Sequence, residues 1–336
     1  MANTGHSTRT IWLSRHEDGM LFVSRGSGPN IDSEASDPSN GISMIKVFNI
    51  KNTTSPYNYS RDGLVVGWGL RNSVGVTEHP VDGGIWSVEN SVDNIKRDGR
   101  DIHDDNPGEE LNYHGSLSGS ASQLLGGNHG YPDCFAAWTP SEIPRNTGLK
   151  VGSQFAMGDA GGRIDDAACA QRVAPRITFA AHMAPLDIKF DPSGSNAWVT
   201  FHGSWNRDQP IGYKLSVVRF NAASGQPTEP SDSRTAAIDI MANSAMDQCP
   251  NGCFRPVGLA FDPKGRLFVS SDSTGDIIVV TRRDGAPVGP STTVTQRSST
   301  AGGAGSTSTQ AGLVGRYAPC ANNAFAGLAA YCMFVA

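Results

Sequence analysis

Ten polar side chains fall where short apolar strands should begin or end: His6, Arg71, Asn72, His182, His202, Trp205, Asn206, Arg207, Arg255 and Asp272. Gathered over one opening, they would suit a planar polyanion. Arginine forks bind carboxylates in pairs, an indole stacks on a flat ring, and a neutral imidazole takes a proton. Each residue alone says little, because a single histidine in a β protein is more often structural. Their recurrence at equivalent strand ends is what points to a site. A second group is the five carboxylates between Asp101 and Glu110, in DIHDDNPGEELNYHG. Hard cations take carboxylate and carbonyl oxygens, so this stretch suggests a cation site. Its spacing does not fit an EF-hand, and a solvated acidic loop would carry the same charge.

The elements that must position these residues repeat. An Asp/Pro/Gly turn followed by a short apolar strand occurs in HEDGMLFVSRGS (16–27), HPVDGGIWSVEN (79–90), FDPSGSNAWVTFHGS (190–204) and FDPKGRLFVSSDS (261–273). LRNSVGVTE, APLDIKF and RPVGLAF lead into three of them, and MIKVFNI, YKLSVVRF and DIIVVTR follow as outer strands. Val, Ile, Leu and Phe in the runs with Gly, Pro and Asp between them are strand-and-turn grammar. Its recurrence predicts an all-β radial repeat, a β-propeller with long insertions. An all-β sandwich with generic turns is the rival. Residues 100–180 show little strand pattern and read as a large insertion.

Composition agrees: Gly is 39 of 336 residues, above the average of roughly 7%, and Pro is 20. The net charge is −5 with no basic stripe, which argues against a nucleic-acid partner. No run of 18 apolar residues predicts a transmembrane helix. The first residues show no signal peptide, and strand grammar starts by Thr10. We read this as a propeller whose N-terminal blade is incomplete; a true cytosolic start is the alternative.

Asn52 and Asn58 open N-glycosylation sequons. Cys134 with Cys169, and Cys249 with Cys253 in CPNGC, read as two disulfides of a secreted protein. A metal or redox pair at CPNGC is disfavoured, because the spacing is not C-x-x-C and no second Cys/His pair lies nearby. The sequence divides into a domain over 1–288 and a tail over 289–336. The tail starts as a Ser/Thr/Gly-rich linker. It ends in a weakly apolar segment laid out like a GPI-anchor signal; a disordered end with unpaired Cys320 and Cys332 is the alternative.

GLRNSVGVTEHPVDGGIWSVENS, NPGEELNYHG, GGNHGYPDC, AHMAPLDIKF, FHGSWNR and CFRPVGLAFDPKGRLFVSSDSTG together resemble the blocks of the pyrroloquinoline quinone (PQQ)-dependent sugar dehydrogenases. The similarity runs over about residues 5–285 and is greatest to the fungal pyranose dehydrogenase and L-sorbosone dehydrogenase branches. It implies a six-bladed β-propeller, PQQ and calcium as cofactors, and a sugar substrate such as fucose, glucosone or sorbosone. His6 matches the family's general base. Arg71, Asn72 and Arg255 match residues over the cofactor, and His202, Trp205, Arg207 and Asp272 fall at the cofactor-facing strand ends. Asp104 and Asp105 fall where calcium is held. The implied reaction takes a proton from a sugar hydroxyl and passes hydride to the quinone, with electrons going on to a heme protein or small quinone. FHGSW stands where the soluble glucose dehydrogenases have a lysine. A non-catalytic or truncated extracellular propeller acting as a binding module is the second hypothesis. A calcium-dependent lactonase is the third, and the Arg-Asn pair and FHGSWNR argue against it.

Overall fold

The computed structural model describes residues 5–158, 164–289, 316–319 and 328–334. The first sheet runs β1 (Ile11–Leu13), β2 (Met20–Arg25), β3 (Met44–Asn49) and β4 (Leu64–Trp68), each antiparallel to the last. The second starts with β5 (Ser73–Glu78) and β6 (Ile85–Glu89). A short ribbon of β7 (Lys96–Arg97) and β8 (Arg100–Asp101) precedes its third strand, β9 (Glu109–Tyr113). β10 (Gly127–Asn128) lies parallel to β4, and β11 (Cys134–Ala136) pairs with β12 (Gln154–Ala156). β13 (Ile177–Phe179) then closes the second sheet on β9. The third sheet comprises β14 (Pro185–Phe190), β15 (Asn196–Phe201), β16 (Lys214–Asn221), β17 (Gln226–Pro227) and β18 (Ala237–Ala242). The fourth begins β19 (Pro256–Phe261), β20 (Leu267–Ser271) and β21 (Ile277–Arg282). No helix among the described residues is long and apolar enough to cross a membrane.

The repeated turns make the hairpins. In FDPSGS the Asp191 carboxylate accepts from the Ser193 and Ser195 amides, and Gly194 takes φ +72°, a region side-chain-bearing residues avoid. In FDPKGR the Asp262 carboxylate accepts from the Lys264 and Arg266 amides in the same way. The sheets then stack in chain order, each interface with its own apolar cluster. Phe22, Ile45, Val66 and Val76 join the first two. Trp86, Leu111, Ile177, Ile188, Phe201 and Phe220 join the second and third. Leu215, Val217, Leu259, Val269 and Ile278 join the third and fourth. Fully burying such a side chain contributes about 1.5–3 kcal/mol, so these seams fix which face of each sheet is inward.

The first strands of the last three sheets, β5, β14 and β19, lie side by side. A Cβ at Gly75 would come within 3.0 Å of the Asp187 Cα, so only glycine permits this approach. The Leu259 amide donates to the Asp187 carboxylate at 2.8 Å. These strands therefore start at the same end of the molecule.

Two stretches differ from the reading of the sequence. Residues 100–180 supply β9 and β13 of the second sheet as well as the β11–β12 ribbon. They escaped notice because Glu109, Glu110 and Asn112 are charged or polar yet buried in β9. In the tail, β22 (Arg316–Pro319) and β23 (Leu328–Phe334) add backbone to the fourth sheet, with Met333 opposite Ile277. Most of the Ser/Thr/Gly-rich stretch, and Cys320, lie outside the described residues. Both expected disulfides are present, Cys134–Cys169 and Cys249–Cys253.

Candidate active site

β5, β14 and β19 each begin with a register shift, at Ser73/Gly75, Pro185/Asp187 and Pro256/Leu259. A bulge bends a strand and re-aims its side chains. The residues just before these bulges are Arg71–Asn72, His182–Ala184 and Arg255. The antiparallel partners β6, β15 and β20 end at the same place and deliver Asn90, His202 and Asp272. One end of the sheets thus collects the side chains picked out from the sequence.

His6 sits at the first sheet, its Nδ1 3.1 Å from the Ser27 carbonyl and 2.9 Å from the Ser27 hydroxyl. The carbonyl requires Nδ1 to carry the hydrogen, which leaves a lone pair on Nε2. Burial, then the positive charge of Arg71, lowers the pKa of His6 to about 4. The ring is therefore neutral at physiological pH, as a base must be. Asn72 stands beside it: a Cβ at Gly26 would strike Asn72 Oδ1 and the His6 Cβ together. Arg71 is buried, donating to Asn30 Oδ1 at 2.8 Å, to the Asn30 carbonyl at 3.0 Å and to Asp93 at 2.9 Å.

Asp93 carries the network onward, its other oxygen 3.7 Å from His182 Nδ1. The His182 Nε2 meets the carbonyl of His103 at 2.5 Å. His182 and Ala184 have φ of +65° and +53°, conformations that cost a non-glycine residue about 1–3 kcal/mol. Arg207 donates to the Asp104 carbonyl and, at 3.3 Å, to the Asp105 carboxylate. The expected metal pair thus holds a guanidinium here. No group of three or more His, Cys, Asp or Glu side chains arranged for a metal occurs among the described residues.

The third cluster joins the third and fourth sheets. His202 Nε2 donates to Asp272 at 3.0 Å, and Arg255 Nη2 donates to His202 Nδ1 at 3.0 Å. These two bonds fit a neutral imidazole, and burial lowers the His202 pKa against the pull of Asp272. The Arg255 Nε holds the His202 carbonyl at 3.1 Å, which leaves Nη1 without a partner among the described contacts. Trp205 stands 69% exposed between the buried Ser204 and Asn206, an indole face open to a flat ligand.

Sequence reasoning missed Asn30, Asp93 and Asn90, the partners that aim Arg71, and Glu89 beneath the site, and it read Glu109 and Glu110 as part of an acidic stretch. Of these only Asn90, directly after β6, carried a positional signal. Glu89, Glu109 and Glu110 are buried, and burial raises their pKa values: Glu109 to about 8, Glu110 to about 7, and Glu89 well above the usual range. Burial conversely lowers His129 to about 3 and His114 well below its ordinary value.

The glutamates contribute stability that is full below the unfolded carboxyl pKa of about 4.3 and lost as pH rises through 7 and 8. The imidazoles contribute stability that is present above about 6.5 and lost as pH falls through 4 and 3. A thermal unfolding series is expected to peak between about pH 5 and 6.5. A Tm that kept climbing from pH 6 to 9 would contradict these burials.

The TrAA12-like family model matches residues 1–283. A "pyrroloquinoline quinone-dependent sugar dehydrogenase" of Hypocrea jecorina (strain QM6a) is 49% identical over 284 residues, which is 83% of this chain. The chain spans 63% of that relative's length. The family AA12 protein of Trichoderma reesei, in its calcium structure, superposes with a TM-score of 0.80 at 51% identity over 83% of this chain and 69% of its own. The holo PQQ domain of pyranose dehydrogenase from Coprinopsis cinerea gives 0.75 at 38% identity, over 83% and 71%.

Proposed function

The chain belongs to the TrAA12-like family, and on that premise we propose that it carries the cofactor-binding core of a PQQ-dependent dehydrogenase that oxidises sugars. Its sheets are then blades of a six-bladed propeller, with the site at the mouth of the central channel. The observation that carries the reading is a neutral His6 beside Arg71, at the same sheet end as Arg207 and Arg255.

The donor set fits a tricarboxylate. Arg255 Nη1 has no hydrogen-bond partner among the described residues, Arg71 adds positive potential from below, and Trp205 offers a face for stacking. Bound PQQ would supply the two-electron acceptor for hydride from the sugar carbon. His6 Nε2 takes the proton of the hydroxyl on that carbon, with Ser27 keeping the lone pair aimed outward. Low polarity around the imidazole holds it unprotonated between turnovers. The substrate class is an aldose or keto-sugar such as fucose, glucosone or sorbosone. The electron acceptor is a heme protein or small quinone. Calcium belongs to the proposal through the Asp104 carbonyl and Asp105, from which Arg207 would have to withdraw.

The two disulfides and the exposed Asn52 and Asn58 support a secreted, glycosylated protein, and the tail leaves a GPI anchor as part of the same proposal. Reconstitution tests the function. The chain is mixed with calcium and PQQ, and reduction of an artificial acceptor is followed with L-fucose, glucosone and sorbosone. Sugar-dependent reduction that vanishes without PQQ is expected; absence of any PQQ spectral change would overturn the reading. Chelation before PQQ addition should weaken cofactor binding, with recovery on adding calcium. Identical binding with and without chelator would remove calcium from the site.

A further inference from the structure

Two loops of the site hang on a single buried carboxylate. Glu109, 3% exposed at the start of β9, accepts from the Ser91 amide at 2.7 Å through Oε2 and from the Ala184 amide at 3.2 Å through Oε1. Ser91 stands two residues before Asp93, the partner of Arg71. Ala184 stands two residues after His182, which closes on Asp93 from the other side. We propose that Glu109 is a positioning residue that clasps the Asp93 and His182 loops together beneath the cofactor; this rests on the function proposed above.

Three observations converge on it. The segment that Glu109 grips is strained, with His182 and Ala184 both at positive φ within three residues. Such geometry persists only where surrounding bonds over-determine it. Second, the job needs two acceptor oxygens on one group, because the two amides come from separate loops, one after β6 and one before β14, and a glutamine side chain has only one. Third, the neighbouring acid does the same work. Glu89 Oε1 accepts from the Arg71 amide at 2.5 Å, and Asn112 ties Glu89 to Glu110 at 3.1 and 2.9 Å. The acids in β6 and β9 thus hold the backbone of the site from below, while the side chains above face the ligand. Burial raises the Glu109 pKa, and the amides of Ser91 and Ala184 offset only part of that rise.

The test uses the full chain and the variants Glu109→Gln and Glu109→Asp. Hydrogen–deuterium exchange is read on peptides covering 90–94 and 182–186, and PQQ affinity from the cofactor's spectral change. In Glu109→Gln, exchange is expected to accelerate in those two peptides and not across the four sheets. PQQ affinity should fall by about tenfold, the loss of one hydrogen bond, with the sugar KM at saturating PQQ unchanged. Glu109→Asp keeps both oxygens and is expected to recover part of the affinity. Unchanged protection in both peptides would overturn the clasp, and so would faster exchange spread evenly over the molecule. If Glu109→Gln fails to fold, the same local-versus-even exchange pattern is read on Glu109→Asp. A wild-type chain that binds no PQQ would sink the proposed function, and the clasp would then stand or fall on the exchange pattern alone.

Discussion

Replacing His6 with alanine is expected to lower sugar-dependent turnover by about 100-fold or more, the usual worth of a positioned general base. PQQ binding should stay nearly intact, because the ring's polar contacts run to Ser27 and not to the arginines. The pH profile gives an independent signature. A histidine at its ordinary pKa of about 6.5 would shut catalysis down below neutrality. Burial and Arg71 hold His6 at about 4, so the active neutral form persists as pH falls and the acid limb of kcat/KM should have its midpoint near 4. Unchanged turnover in His6→Ala would sink the assignment of the base. An acid limb near 6.5 would mean that His6 is more solvated than its packing indicates.

Much of the fold could be read from turns and alternation. β5, β14 and β19, and the outer strands β3, β16 and β21, fall within the runs that periodicity marked. β14 and β19 lead into Asp/Gly turns whose carboxylates cap their own backbone, a local chemistry that needs no tertiary context. β9 and β13 could not be read this way. Strand prediction listens for apolar alternation, and β9 opens with two glutamates that the folded protein buries, Glu109 against the Ser91 and Ala184 amides and Glu110 against the Asn112 side chain. Burial of that kind is decided by partners far away in sequence, so EELNY passed for an acidic loop.

The site divides along the same line. Arg71, Asn72, His202, Arg255 and Asp272 could be placed because each touches a recognisable strand end. His6 was picked out with them, but its role as the base came only through resemblance, since nothing in HSTRTI marks a base. What the residue types could not give was pairing. Asp104 and Asp105 look like cation ligands by composition, yet here they receive Arg207. Asp93, hidden in an unremarkable SVDN, is the carboxylate that links Arg71 to His182. Charge says what a residue can bind, and only the fold says which partner reaches it first.

That pairing makes Arg71→Ala the most damaging single change expected at the site. The guanidinium is 5% exposed and spends its donors on two carbonyls, one amide oxygen and Asp93. Taking it away leaves Asp93 without its counter-ion, close to the buried Glu109, whose pKa it already raises. Breaking a buried pair from one side costs about 3–5 kcal/mol, because the surviving charge is uncompensated, and the partly exposed Asp93 puts the loss here at the lower end of that range. Urea unfolding should show a loss of that order, and PQQ binding should fall with it. Arg71→Lys keeps the charge but not the fork, so it should lie between wild type and alanine. Asp93→Asn in the Arg71→Ala background should restore part of the stability, since it removes the stranded charge. A loss under about 1 kcal/mol would put the pair with surface bridges that contribute little. The variant also reports on the base. With Arg71 gone, burial and Arg9 still depress His6, so any residual activity should have an acid limb above the wild-type midpoint but still below 6.5.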